Sequence, residues 1–330
     1  MRIPFGCVAP SLMVLLAVTL AVAGCQPKTT DPGWTGEVRV ATSFPALYCF
    51  AANVVGDVGT VKSIKSTQGA HGSEVTAQDR EMVETADVLF INGLGLDDTF
   101  AKNLTKTTAN GKLTVIDVGG QMGDKYLLHS DGCECKHEDG EGHDHHHGDH
   151  DPHVWLGPDQ AKRMVEVIRK ELCGKYPAHA AAFSKNAEAY TEKLTALKAE
   201  GQEKLKPTKK ADRKIVTVHG SMNYFAAAFD LTVAGVVQTT PGKEPTDKEL
   251  KELIEACKKD KVRVIAAEPQ FSTRGAVKTL TDELTRAGIA NPVVIELDPL
   301  ETATRDELNP GWYEAKMRAN IAAAAKVFGQ

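Results

Sequence analysis

Histidine is the most informative residue type in this chain, because neutral imidazole is a common metal ligand. Four of the 11 histidines are scattered, and three of these, His71, His153 and His219, lie beside predicted strand ends or helix starts. Asp298 occupies a corresponding place after another predicted strand. Three imidazoles and one carboxylate suit tetrahedral Zn²⁺, although imidazole also binds Cu²⁺, Ni²⁺ and Fe²⁺. Taken singly, each could instead be a surface or capping residue, which is how we interpret His179.

A second group of histidines lies in residues 129–150, a segment without apolar periodicity. It consists largely of His, Asp, Glu and Gly, with Cys133 and Cys135, so we expect a mobile or disordered loop. Such a loop would offer weak, exchangeable metal sites; the alternative is a solvated acidic linker that binds metal only incidentally. Its histidines are His129, His137, His143, His145, His146, His147 and His150.

The elements that must position these residues alternate between strands and helices, which predicts parallel βα units and an α/β fold. One series spans residues 37–117, and a second begins at residue 214. Between them, an amphipathic helix over about residues 178–206 would run about 40 Å and could bridge two lobes. In sheets of this kind, ligands lie at the carboxyl ends of the strands.

The amino terminus is typical of a secretory signal. Arg2 precedes an uncharged apolar run, Leu12–Ala23, that is shorter than the roughly 20 residues of a membrane span. Val22-Ala23-Gly24-Cys25 resembles a bacterial lipobox, so we predict lipid on Cys25; an uncleaved anchor or an ordinary signal is the alternative. The protein would then be anchored in the cell envelope, on the periplasmic side or the cell surface.

We divide the chain into a signal peptide, a lipidated tether, two lobes and the helix that joins them. The predicted boundaries are 1–24, 25–36, 37–175 with the His-rich loop, 176–208 for the linking helix, and 209–330.

Composition excludes little beyond nucleic-acid binding. Hydrophobic residues make up 42% and charged residues 25%, as in globular proteins, and the net charge of −5 gives no electrostatic basis for binding nucleic acid. Seven cysteines are present, of which Cys7 and Cys25 belong to the signal region. The odd number left, five, means that at least one thiol is unpaired, and the pairing cannot be deduced from sequence.

Six motifs together resemble the solute-binding proteins that serve zinc and manganese ABC importers, and most closely their zinc, ZnuA-like branch. The resemblance covers nearly all of the mature chain, from Val40-Ala41-Thr42-Ser43-Phe44-Pro45 to the last helix. The six motifs are Gly69-Ala70-His71-Gly72-Ser73-Glu74, Ala86-Asp87-Val88-Leu89-Phe90-Ile91-Asn92-Gly93, Asp151-Pro152-His153-Val154-Trp155-Leu156, Val218-His219-Gly220, Glu268-Pro269-Gln270-Phe271-Ser272 and Leu297-Asp298-Pro299-Leu300.

The resemblance implies two α/β lobes, each a parallel-rich sheet flanked by helices, joined by one long rigid helix, with metal in the interlobe cleft. It implies ligands at His71, His153 and His219, completed by Asp298 or water. Manganese members usually carry a carboxylate where His219 stands, so zinc is favoured. The implied partners are an ABC permease and its cytoplasmic ATPase, and the protein would act as a monomer.

Two features depart from the family pattern. Ala70 stands where some zinc members have an acidic residue, which strengthens Asp298 as the fourth ligand. Cys49 lies in the first predicted helix, where we expected no thiol, and it could pair with Cys173 or remain free.

Other functions remain open. A zinc hydrolase would need an open coordination position and a general base, but no His-Glu-x-x-His helix is present, and we interpret Glu268 as structural or as a support for a ligand. A metal-dependent adhesin, a zinc store, or a carrier of manganese or another divalent metal is a further alternative.

Overall fold

Two parallel four-stranded sheets organise the computed structural model. It describes Met1 and residues 33–65, 67–72, 74–130, 150–238, 243–269 and 274–328. The predicted signal peptide, Cys25, and most of the His-rich loop with Cys133 and Cys135 lie outside these residues. Within the described residues, no helix is both long and apolar enough to cross a membrane.

The first sheet has the strand order β2-β1-β3-β4, and all three neighbouring pairs are parallel. Its central strands are almost wholly buried, as expected for parallel strands covered on both faces. The strands are β1 (Val38–Thr42), β2 (Gly59–Ser63), β3 (Val88–Ile91) and β4 (Thr114–Asp117). The helices between them are α1 (Pro45–Val55), α2 (Ala77–Glu84) and α3 (Asp98–Thr107).

The second sheet repeats this topology, with the order β6-β5-β7-β8 and only parallel pairs. Its strands are β5 (Lys214–Thr217), β6 (Thr232–Val236), β7 (Val264–Ala267) and β8 (Val293–Glu296). Its helices are α6 (Asn223–Ala228), α7 (Asp247–Asp260), α8 (Arg274–Arg286) and α9 (Trp312–Phe328). Two further helices, α4 (Pro158–Lys175) and α5 (Ala180–Leu205), lie between the two sheets in sequence and connect them. The predicted fold of two α/β lobes is therefore confirmed.

Two helices, α2 and α7, begin with a capping box. Thr76 accepts a hydrogen bond from the backbone N–H of Asp79, whose side chain in turn accepts from the N–H of Thr76. Thr246 and Glu249 form the same capping box at α7. These reciprocal bonds satisfy backbone donors that the first helical turn leaves without partners, so they define where each helix begins.

The linking helix α5 has 26 residues, which corresponds to about 39 Å at 1.5 Å per residue. It buries a stripe that includes Phe183, Tyr190 and Leu197 and contacts α1, α4 and α9. The last helix adds a second connection that the sequence did not predict. The Tyr313 hydroxyl donates to the carbonyl of Trp155 at 2.6 Å, and the Asn53 amide donates to the carbonyl of Pro310 at 2.8 Å. The carboxyl-terminal part of the chain is thus fastened to the first lobe.

The cysteines of the described residues carry free thiols: Cys49, Cys173 and Cys257. Cys49 is fully buried, and its thiol donates to the carbonyl of Asn309 at 3.5 Å. Burial raises the pKa of Cys257 to about 11, so its thiol stays protonated at neutral pH. Because both thiols are free, Cys49 and Cys173 form no disulfide with each other.

Gly201 lies in α5 at a place where neighbouring side chains approach the helix backbone closely. A Cβ there would lie 2.3 Å from Cε1 of Phe229 and 3.0 Å from Cδ1 of Ile321. We predict that Gly201→Ala lowers the free energy of unfolding by about 1–3 kcal/mol, because overpacking outweighs the helix propensity of alanine. Gly174→Ala in α4 meets nothing within 4 Å and should stabilise by up to about 1 kcal/mol. Urea unfolding measures both; equal effects of the two substitutions would contradict the packing argument.

Candidate metal centre

Four side chains that are distant in sequence converge between the two sheets: His71, His153, His219 and Glu301. One potential ligand atom of each lies within 4.8 Å of the others. In the described part of the chain, this is the one group of three or more His, Cys, Asp or Glu side chains that could share an ion. The structure therefore brings together the three histidines that the sequence singled out.

Four distances between these atoms are close to the edge of a zinc tetrahedron. Oε1 of Glu301 lies 3.2 Å from Nε2 of His71, 3.4 Å from Nε2 of His219 and 3.8 Å from Nε2 of His153. The Nε2 atoms of His71 and His153 are 3.4 Å apart. A tetrahedral ion with bonds of about 2.0–2.1 Å separates its ligands by about 3.3–3.4 Å. Since all four atoms also lie within 4.8 Å of one another, they could hold one small ion between them.

The topology explains why these residues meet. His219 follows β5, Glu301 follows β8, and His71 lies in the connection after β2. All three follow the carboxyl ends of parallel strands, the side of such sheets where ligands bind. His153 directly precedes a short 3₁₀ turn, Val154–Leu156, that comes before α4 and places Trp155 in the core.

The fourth member of the group is Glu301, whereas Asp298, which we expected in this place, lies outside the group. Oδ1 of Asp298 accepts a hydrogen bond from the backbone N–H of Leu300 at 2.8 Å, and Oδ2 lies 3.3 Å from Nζ of Lys316. Leu300 adopts a left-handed conformation, φ 60°. Asp298 thus closes a sharp turn, and the carboxylate that reaches the imidazoles comes three residues later.

Asn320 and Trp155 hold this turn in place. Asn320 in α9 accepts from the N–H of Asp298 at 2.8 Å and donates to its carbonyl at 2.7 Å. The indole of Trp155 donates to the carbonyl of Pro299 at 2.7 Å. The turn that carries Glu301 is therefore fixed by groups from both lobes.

Two further buried carboxylates orient two of the imidazoles. Nδ1 of His153 lies 2.7 Å from Oδ1 of Asp151, and Nδ1 of His219 lies 2.6 Å from Oε2 of Glu268. A carboxylate is only an acceptor at neutral pH, so each Nδ1 carries the proton and Nε2 faces the other ligands. The interpretation of Glu268 as a support for a ligand agrees with this geometry.

The electrostatics of the group favour a cation. Burial lowers the pKa of His219, but its hydrogen bonds to Glu268 and Glu301 outweigh burial and raise the pKa to about 10. Burial raises the pKa of Glu301, but the charges and hydrogen bonds of His71 and His219 outweigh it and hold that pKa well below its usual range. Without an ion, the group therefore holds a proton on His219 at neutral pH, and an incoming cation must displace it.

His71 is the most accessible member, with 23% of its side chain exposed, compared with 1–6% for the other three. Its connection is anchored by Lys65, whose ammonium is buried and donates to the carbonyl of Glu74 at 2.8 Å. Gly69 adopts φ 77°, a conformation that glycine tolerates best. An ion would reach the group most easily past His71.

The remaining histidines lie elsewhere or outside the described residues. His129 and His150 flank the His-rich segment, form an antiparallel β-bridge and stack with ring centroids 5.1 Å apart. His179 lies 3.0 Å from Glu37. His137, His143, His145, His146 and His147 are not among the described residues, so the weak sites predicted there remain a prediction.

The chain is similar to a known protein family and to a zinc-binding relative. The model of the family described as zinc-uptake complex component A, periplasmic, matches residues 40–327. The zinc-binding lipoprotein AdcA of Streptococcus pneumoniae is 32% identical over 321 residues, covering 97% of this chain and 60% of that protein. The chain thus spans about three-fifths of the length of this relative.

Two solved structures have the same fold. The Mn²⁺ complex of FpvC from Pseudomonas aeruginosa has a TM-score of 0.75 and 27% identity, covering 88% of this chain and 98% of FpvC. The Zn(II)-bound ZnuA-like domain of Streptococcus pneumoniae AdcA has a TM-score of 0.67 and 28% identity, covering 89% of this chain and all of that domain.

The ionisation of His219 can be measured directly in the metal-free protein. We predict that its imidazole titrates near pH 10 rather than near 6.5, and that Glu268→Gln shifts this titration to lower pH. Because the folded-state pKa is raised, the stabilisation is complete below about pH 6.5 and is lost as the pH rises through about 10. NMR of ¹⁵N-labelled histidine follows the titration, with Glu283→Gln, in a distant exposed ion pair, as the control. An unchanged titration in Glu268→Gln would refute this account.

Proposed function

Since this chain belongs to the zinc-uptake complex component A family, we propose that it captures Zn²⁺ outside the cytoplasm and delivers it to a metal-uptake ABC transporter. The observation that carries this proposal is the group formed by His71, His153, His219 and Glu301. Its four candidate ligand atoms lie within 4.8 Å of one another and have the composition of a zinc site.

The donor set supports zinc as the cargo. Three imidazole nitrogens and one carboxylate oxygen suit Zn²⁺, whereas Mn²⁺ favours a site richer in oxygen. The relative from Streptococcus pneumoniae is named a zinc-binding lipoprotein, and FpvC was solved with Mn²⁺, so the fold alone does not decide the metal. The proposed selection of zinc therefore rests on His219, which supplies a nitrogen at a position where a second carboxylate would favour manganese.

The closed donor set also favours binding over catalysis. A catalytic zinc keeps a coordination position for water or substrate, whereas the four candidate ligands here would fill a tetrahedral shell. Glu268, an acid in position to be considered as a general base, is hydrogen-bonded to His219 through both carboxylate oxygens. A site of this kind retains an ion until the protein around it changes shape.

Delivery would proceed in three stages. Imidazoles of the His-rich segment collect Zn²⁺ weakly, the buried group takes it with more and better-oriented bonds, and the loaded protein docks on a permease driven by a cytoplasmic ATPase. Lipid on Cys25 would keep the protein at the membrane. One copy of the protein, with its two lobes, would dock on each permease, so the protein would act as a monomer. Because α5 and α9 both connect the lobes, release would involve shifts of the connection that carries His71 and of the turn that carries Glu301, rather than wide opening.

The fourth ligand is tested by a matched pair of substitutions that each remove one negative charge. We predict that Glu301→Gln lowers the affinity for Zn²⁺ by more than about 100-fold. Substitutions of residues that contact a ligand but not the metal typically lower it by about 10- to 100-fold. Asp298→Asn retains an oxygen to accept from Leu300 and should bind within about tenfold of the wild type. Competition with a zinc chelator measures both affinities. A larger loss of affinity in Asp298→Asn than in Glu301→Gln would overturn the assignment of Glu301 as the fourth ligand.

The transport role is tested in cells. We expect deletion of the gene to abolish growth in zinc-depleted medium and added zinc to restore it. The wild-type gene should complement the deletion, whereas a gene carrying His71→Ala, His153→Ala and His219→Ala together should not. Rescue by manganese instead of zinc, or full complementation by the triple variant, would count against zinc delivery. A protein acting only as an adhesin or a zinc store would leave growth unaffected by the deletion.

A further inference from the structure

Asn223, the first residue of α6, lies where the supports of two candidate ligands meet. Its Nδ2 lies 2.9 Å from Oδ2 of Asp151 and 3.4 Å from the carbonyl oxygen of Gly220. Asp151 belongs to the segment before α4, and Gly220 directly follows His219. One amide group, with two N–H donors, thus spans the two halves of the site.

The contact with Asp151 is part of a chain that ends on the candidate ligand His153. Oδ1 of Asp151 accepts from the backbone N–H of His153 at 2.9 Å and faces its Nδ1 at 2.7 Å. Oδ2 of the same carboxylate faces Asn223. Asp151 is 4% exposed, so its orientation is set by these protein groups rather than by bulk water.

The next residue of α6 fixes the backbone of the same aspartate. The Tyr224 hydroxyl donates to the carbonyl of Asp151 at 2.8 Å and accepts from the N–H of Leu128 at 2.9 Å. Leu128 and Asp151 stand at the two ends of the His-rich segment and are hydrogen-bonded to each other. Asn223 therefore controls the carboxylate of a residue whose main chain is already held.

We propose that Asn223 is a positioning residue that holds the Asp151–His153 pair in register with His219 and so slows the release of Zn²⁺. The inference rests on the proposed function and deepens it, because it names a residue that couples ligands of the two lobes without contacting the metal. When the lobes shift during release, the contact between Asn223 and Asp151 is among those that must break or stretch.

The test is the rate at which Zn²⁺-loaded full-length protein loses its metal to excess chelator, followed by stopped flow. We expect Asn223→Ala to release Zn²⁺ about three- to tenfold faster than the wild type. This effect is smaller than the about 10- to 100-fold loss of affinity that follows removal of a direct partner of a ligand. The matched control is Asn110→Ala. Asn110 also donates twice through Nδ2, at 2.8 Å to the carbonyls of Val83 and Ala86 in the first lobe, and its loss should leave release unchanged.

A double-mutant cycle separates positioning from a general loss of stability. If Asn223 acts through Asp151, Asn223→Ala should have no further effect on release once Asp151→Ala is present. Equal acceleration in both backgrounds, or release by Asn223→Ala within twofold of the wild type, would overturn the inference. A wild-type protein that binds no Zn²⁺ tightly would overturn the proposed function and this inference with it.

A second measurement covers the case in which Asp151→Ala does not fold. The visible absorption of Co²⁺ bound in place of Zn²⁺ reports the geometry of its ligands. Changed band positions or intensities in Asn223→Ala, with an unchanged spectrum in Asn110→Ala, would support positioning. Identical spectra for Asn223→Ala and the wild type would refute it.

Discussion

The Glu301 carboxylate, only 2% exposed, faces three imidazole nitrogens within 3.8 Å. A lone carboxylate in such a place would cost several kcal/mol, because water can no longer solvate its charge. The protonated His219 reduces this cost when no ion is present, and a divalent cation would remove it more completely. Much of the surrounding structure can be understood as the means of keeping this charge and these nitrogens at fixed distances.

The fold meets this requirement by holding three of the four candidate ligands through neighbouring groups. His153 is held by Asp151 and by the packing of Trp155, and His219 by Glu268 and by the end of β5. The turn that carries Glu301 is held from α9 by Asn320. Because these supports come from both lobes, with α5 and α9 joining them, changes in the spacing of the lobes act directly on the ligand geometry.

Much of the fold followed from the sequence, because strand and helix patterns depend on nearby residues. The alternation of strands and helices and the linking helix were of this kind, and so were the positions of the three histidines beside strand ends or a helix start. Glu301 was missed because its approach depends on a left-handed turn at Leu300, and leucine rarely adopts that conformation. The signal present in the sequence was a second carboxylate three residues after Asp298. The bridge from Asn223 to Asp151 was equally hidden, since it joins residues 72 positions apart.

The central claim is that one Zn²⁺ is bound by three imidazoles and the Glu301 carboxylate. X-ray absorption spectroscopy at the zinc edge of the loaded protein tests it most directly. The account predicts four ligands, with three histidine nitrogens at about 2.0–2.1 Å and one carboxylate oxygen at about 2.0–2.2 Å, and loss of the carboxylate contribution in Glu301→Ala. A six-coordinate shell of oxygens, a sulfur ligand, or a spectrum unchanged in Glu301→Ala would contradict it.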